Sequence, residues 1–155
     1  MQKEKIQEFT RRVSQDNRTS LIVTMYDIML TYLDEAKAAL EAEDREGFKA
    51  GLRHADRVLV QLQDSLNFKY SPADTLYALY VYCREELALA MAKQDLTGIG
   101  HAQTVLCGLR GGFAEAAAKD IPALSDKLVL KREELKKYAE ADELKANISK
   151  EESDK

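Results

Sequence analysis

The sequence predicts an all-α fold, an antiparallel helix bundle, and three features of the chain predict it. Apolar residues recur at spacings of three and four over most of the length. Only seven Gly and two Pro interrupt 155 residues, and these two residue types are the main helix breakers. The segments between the periodic stretches are short, so consecutive helices are expected to run antiparallel. The expected layout is four core helices, with a short N-terminal helix before them and a C-terminal extension after them.

Each element has its own signature. Residues 1–12 are polar, yet Ile6, Phe9 and Val13 form one apolar stripe, which predicts a short amphipathic helix. Ser14-Gln15-Asp16-Asn17 then offers N-cap residues for a second helix, from about Asn17 to Glu43. That helix carries two stripes: Leu21, Met25, Ile28, Tyr32, Ala36 and Ala39, with Ile22, Tyr26, Met29, Leu33 and Leu40 beside them. Two adjacent stripes make an apolar face wider than a simple bundle needs.

Asp44 is the expected N-cap of the third helix, a one-sided amphipathic segment through Phe48, Leu52, Ala55, Leu59, Leu62 and Leu66. Ser71-Pro72-Ala73-Asp74 reads as a helix start, with Ser71 as cap and Pro72 at the first helical position. The fourth helix has Leu76, Tyr80, Cys83, Leu87 and Met91 on one stripe, and Leu79, Tyr82 and Leu89 on another side. It is apolar nearly all round, so it is expected to be central or to bind something.

Asp95 is the expected cap of the fifth helix, whose apolar set is Ile99, Ala102, Val105, Leu106, Leu109 and Phe113. Gly98, Gly100, Gly108, Gly111 and Gly112 stand out there, since each interior Gly costs roughly 1 kcal/mol against Ala. They predict either a kink or end near Gly111-Gly112, or close approach of a neighbouring helix. Pro122 marks a break. Residues 1–120 are therefore read as the bundle, and residues 121–155 as a charged C-terminal helix (about Ala123–Asn147) followed by a polar tail.

Composition narrows the function classes. The net charge is −4 with mixed signs, and neither a basic face nor a basic tail suggests nucleic-acid binding. No apolar run approaches the roughly 18 residues a membrane span needs. The polar start does not resemble a signal peptide, so the expected location is cytoplasmic, with Cys83 and Cys107 reduced. A bundle metal site needs Glu three residues before His; Gly51 precedes His54 and Gly98 precedes His101 at that spacing. No phosphate-binding loop and no activated thiolate pattern is present. The expectation is no enzyme activity, no metal and no cofactor. What remains is apolar surface, which serves either as plain core or as a groove for a partner's amphipathic helix.

The order of motifs resembles the flagellar FliS family, which exports flagellin in an unpolymerised state. Leu21-Ile22-Val23-Thr24-Met25-Tyr26-Asp27 is similar to the family's Leu-x-x-x-Leu-Tyr-Asp segment. Leu76-Tyr77-Ala78-Leu79-Tyr80-Val81-Tyr82 is similar to its Leu-x-x-Leu-Tyr-x-Tyr stretch, and Ala55 through Leu66 resembles the helix between. Leu106, Leu109 and Phe113 stand where the family has Leu, Leu and an aromatic, usually Trp. Departures are Ile28 where a Gly usually follows Tyr-Asp, and Gln15-Asp16-Asn17-Arg18 where a Pro-containing turn is usual.

The resemblance implies an export chaperone whose client is the disordered C-terminal segment of flagellin, which folds on binding. It further implies docking at the export gate and a monomer or weak dimer when free. By position, Tyr26, Met29, Tyr77, Tyr80, Cys83, Leu87, Leu106 and Leu109 are the groove candidates, each of which is at least as readily read as core. Ile6 and Phe9 are candidates for a cover over the groove. The competing readings are a self-associating structural bundle, an adaptor of the same kind with another client, and a small-molecule-binding bundle or enzyme.

Overall fold

Capping residues set most of the helix boundaries. The computed structural model describes residues 1–69 and 72–118, without the side chains of 18 and 19. It contains α1 (Lys3–Gln15), α2 (Arg18–Glu41), α3 (Arg45–Asp64), α4 (Ala73–Lys93) and α5 (Thr97–Ala118). Asn17 caps α2 by accepting from the Ser20 N–H at 2.9 Å, and Asp44 caps α3 by accepting from the Gly47 N–H at 3.0 Å. The Asp95 carboxylate accepts from the Thr97 N–H at 3.2 Å at the start of α5.

Two expectations change. In α4 the cap position is Pro72 itself, with no side-chain cap bond, so the helix begins one residue later than the sequence suggests; Ser71 lies outside the described residues. In α5, Gly111-Gly112 neither ends nor interrupts the helix, which continues to Ala118. The C-terminal helix and tail expected over 121–155 also lie outside the described residues.

The four longer helices form an up-down-up-down ring. Gly51 of α3 sits against Tyr32 and Ala36 of α2, and Gly47 against Ala39, so α2 and α3 are antiparallel. Arg84 of α4 pairs with Asp56 of α3 at 2.7 Å, and Gly98 of α5 lies against Glu86 and Ala90 of α4. Gln103 of α5 donates to Asp34 of α2 at 3.0 Å, which closes the ring. Helix α2 is its most buried member because α1, α3 and α5 all pack on it. Its two stripes are both interior: Ile22, Met25, Tyr26, Met29, Leu33 and Ala36 are fully buried.

The core is continuous from Phe9 to Phe113. Each large apolar side chain taken from water contributes about 1.5–3 kcal/mol before ordering costs are subtracted. Helix α1 buries three such residues, Ile6, Phe9 and Val13, whereas α3 buries Phe48, Leu52, Val58, Leu59 and Leu62 besides two small ones. By that measure α1 is the most weakly held element.

Candidate partner-binding groove

The seam between α4 and α5 is tight at one end and open at the other. At the tight end, a Cβ added to Gly98 would lie 2.2 Å from the Glu86 carbonyl oxygen, so only Gly fits there. His101 Nδ1 meets Glu86 Oε2 at 2.9 Å just beyond. At the open end, an apolar groove of about 220 Å³ is lined by Pro72, Leu76, Gly108, Leu109, Gly112 and Phe113. The groove walls come from the first turns of α4 and the last turns of α5. Of the five α5 glycines, Gly100, Gly108, Gly111 and Gly112 have nothing within 4 Å of an added Cβ. Close approach within the described bundle therefore accounts for Gly98 alone.

Behind the groove stands a buried aromatic relay. Phe113 stacks on Tyr26 with ring centroids 5.6 Å apart, and the Tyr26 and Tyr80 hydroxyls share a 2.7 Å hydrogen bond across the bundle. Burial pushes the Tyr26 phenol well above its ordinary range and Tyr80 up to about 12. Burial, with Glu86 nearby, likewise raises the Cys83 thiol to about 11. These groups are neutral near pH 7 and are not poised for proton transfer or thiolate chemistry.

Helix α1 lies along α2, antiparallel to it. Its anchor is Asp27, which accepts from Arg12 of α1 at 2.9 Å and also from the Arg110 guanidinium of α5, whose second bond is 3.2 Å. One carboxylate thus ties α1, α2 and α5 together. Asp16 at the end of α1 accepts from the Thr24 hydroxyl at 2.6 Å.

Placed on this frame, the sequence-derived candidates separate. Tyr26, Met29, Tyr80, Cys83, Leu87 and Leu106 are at most 2% exposed and sit inside the bundle. Leu109 is half-buried and lines the groove. Tyr77 is exposed on another flank of α4, edge-on to Phe68 of the α3–α4 connection. Ile6 and Phe9 are buried in the contact of α1 with the bundle. The groove residues that sequence reasoning passed over are Pro72, Leu76, Gly108, Gly112 and Phe113. Their signals in the sequence were the pair Gly108 and Gly112, one helical turn apart, and the family-like positions of Leu76 and Phe113.

A second depression, about 230 Å³, lies between α3 and α4, but Arg84 runs along it to Asp56 and Gln63. No cluster of metal-ligating side chains occurs among the described residues, and none of the described helices is long and apolar enough to cross a membrane. The groove itself has apolar walls from Leu76, Leu109 and Phe113 and a small-residue floor from Gly108 and Gly112.

The family model of the flagellar protein FliS matches residues 1–120. The chain belongs to the FliS family. Its general role is accordingly that of a flagellar export chaperone with a flagellar client. No curated relative matches the chain. The matched region contains the whole bundle and every residue of the groove, so this FliS-family protein carries its candidate site on the family's own part of the chain.

Proposed function

We propose that this protein is a cytoplasmic chaperone that binds the disordered C-terminal segment of flagellin, keeps it from polymerising, and presents it to the export gate. The observation that carries the reading is the open apolar groove between α4 and α5, in a chain whose other large apolar residues are mostly enclosed. A client segment that folds on binding must offset its ordering entropy by burying apolar area. Leu76, Leu109 and Phe113 supply that area, while Gly108 and Gly112 let a client helix approach the α5 backbone. Tyr26, Met29, Tyr80, Cys83, Leu87 and Leu106 act from behind by holding the groove walls in place, and Tyr77 extends the apolar surface on the far flank of α4. Helix α1, through Ile6 and Phe9, is a movable cover over the α2 side of the bundle, released when Arg12 leaves Asp27. The free protein is a monomer or weak dimer and takes one client.

Titration calorimetry tests this with a peptide of the last ~40 residues of flagellin from the same organism, a length of several helical turns. The expected outcome is micromolar or tighter binding with a negative heat-capacity change, the mark of apolar burial. Leu109→Asp should weaken it by about tenfold or more. Absence of heat at several temperatures, with the protein folded, excludes flagellin as the client.

A further inference from the structure

The outward line of α5 is uncharged in the middle and charged at matched distances on either side. Its exposed positions between His101 and Glu115 are Thr104, Cys107, Gly108, Gly111 and Gly112, and none carries a charge, in a chain whose residues are 32% charged. His101, Thr104, Gly108, Gly111 and Glu115 follow spacings of three and four, which puts them on one face of the helix. His101 and Glu115 each lie seven residues from Gly108. Helix α4 adds apolar bulk on the same side of the bundle. Glu86 meets His101 at 2.9 Å, and Tyr82 and Leu89, four before and three after Glu86, share its face. They are two of the four large apolar side chains exposed among the described residues.

The register between the two helices places a knob and a hole at equal distances from Gly108. Gly98 is level with the turn from Glu86 to Ala90, and the helices are antiparallel, so Tyr82 is level with Thr104, about 6 Å to one side of Gly108 along the axis. Leu109 and Phe113 of the groove are centred about 5 Å to the other side. A two-fold axis through Gly108, at right angles to α5, therefore carries Tyr82 of one copy over the groove of another.

We infer that two copies of the chain pair through this face, α5 antiparallel to α5 about a two-fold axis at Gly108, with Tyr82 of each copy seated in the other's groove of Leu76, Leu109 and Phe113. Such a contact uses the same surface twice, as a two-fold interface must. It sets His101 of each copy opposite Glu115 of the other. Gly108 and Gly111, whose added Cβ atoms meet nothing within 4 Å, let the two α5 backbones approach closely. Helices α4 and α5, about 30 Å long and roughly 9 Å apart, offer about 600 Å² per copy. A total of about 1,200 Å² is the low end for a specific interface, so the dimer is weak and reversible. The same contact closes the groove that the export reading gives to a client, so client and second copy exclude each other; this exclusion rests on that reading, and the pairing does not.

Sedimentation equilibrium of the full chain, from about 1 μM to about 1 mM, tests the pairing. The average mass is expected to rise from one copy towards two. Tyr82→Asp should raise the dimer dissociation constant about tenfold or more, and so should Gly112→Leu, which fills the groove from an open position. Phe68→Asp, at an exposed aromatic outside this face, should leave the constant unchanged. Cross-linking fixes the direction: His101→Cys and Glu115→Cys, each in a Cys107→Ser chain, are mixed and treated with a short bis-maleimide. Antiparallel pairing joins unlike copies, because like positions lie about 21 Å apart along the axis, 14 residues at 1.5 Å each. A chain that stays single at every concentration overturns the proposal. So does a dimer that tolerates both Tyr82→Asp and Gly112→Leu, and so does preferential joining of like copies. The flagellin peptide, added to the dimer, should return the mass to one copy with one peptide. Peptide bound to an intact dimer puts the pairing on another face and overturns it. A dimer that persists with no heat of binding removes the flagellin reading and leaves the pairing standing.

Discussion

The two ends of the α4–α5 seam use the same residue type for opposite ends. Gly98 is required because the α4 backbone occupies the space a side chain would need, whereas Gly108 and Gly112 face open space beside an apolar groove. At the tight end the glycine joins two helices of the bundle. At the open end the glycines weaken α5 with no contact inside the described bundle to offset the loss. Helical glycine in α5 thus marks close packing only at Gly98, while Gly108 and Gly112 line the groove and Gly100 and Gly111 face open space outside it.

Substitution at each end separates the two roles. Gly98→Val should force α4 and α5 apart and destabilise the fold by about 3 kcal/mol, at the upper end for overpacking. Gly112→Val, with no atom in its way, should be close to neutral in the same urea titration, because Gly and Val differ little in a helix. Comparable losses at both positions would mean that the open end is packed. Asp27→Asn comes next in size. It removes the charge that Arg12 and Arg110 share, and Arg12 and Asp27 are only 23% and 19% exposed. A loss of about 2 kcal/mol, between exposed and buried ion pairs, should come with faster amide exchange in α1 than in α3.

The Tyr26–Tyr80 pair behind the groove gives a pH signature. An unfolded tyrosine ionises near 10.0, while folded Tyr80 holds its proton up to about 12. The folded value is the raised one, so the stabilisation is complete below about pH 10 and is lost as pH rises through about 12. Unfolding free energy should therefore fall with alkalinity in that window, with Tyr26 acting in the same direction. Tyr80→Phe alone strands the Tyr26 hydroxyl and should cost about 1–2 kcal/mol near pH 7. The double Tyr26→Phe, Tyr80→Phe chain should recover most of that and show a flatter alkaline limb. A limb as steep as in the unaltered chain would assign the alkaline loss to other groups.

The same contrast shows what was legible in the sequence. Periodicity locates faces, so α1 to α5 and most of the core follow directly from residues such as Ile6, Phe9, Leu52, Leu59 and Leu106. Periodicity does not say whether a face meets another helix or water. The two stripes of α4 look alike in sequence, yet Tyr80, Cys83 and Leu87 are enclosed while Tyr82 and Leu89 are 39% and 48% exposed. That outcome depends on where α3 and α5 lie, which no local pattern encodes. The groove was hidden for the same reason: Pro72 and Leu76 are over 30 residues from Gly108 and Phe113 in sequence, and only antiparallel pairing of the helices brings them together.

The smallest effect gives the finest reading of the open end. Gly100 and Gly108 are both interior to α5 and both have nothing within 4 Å of an added Cβ. Gly100 lies outside the groove and Gly108 lines it. Gly100→Ala should raise stability by about 0.5–1 kcal/mol through backbone entropy and helix propensity. Gly108→Ala should gain the same if the groove stands empty in the free protein. If a second copy of the chain occupies it, the new methyl group meets that copy and the gain shrinks or changes sign as protein concentration rises. The difference between the two melting shifts, measured on the full chain, therefore reports occupancy of the groove without any client present.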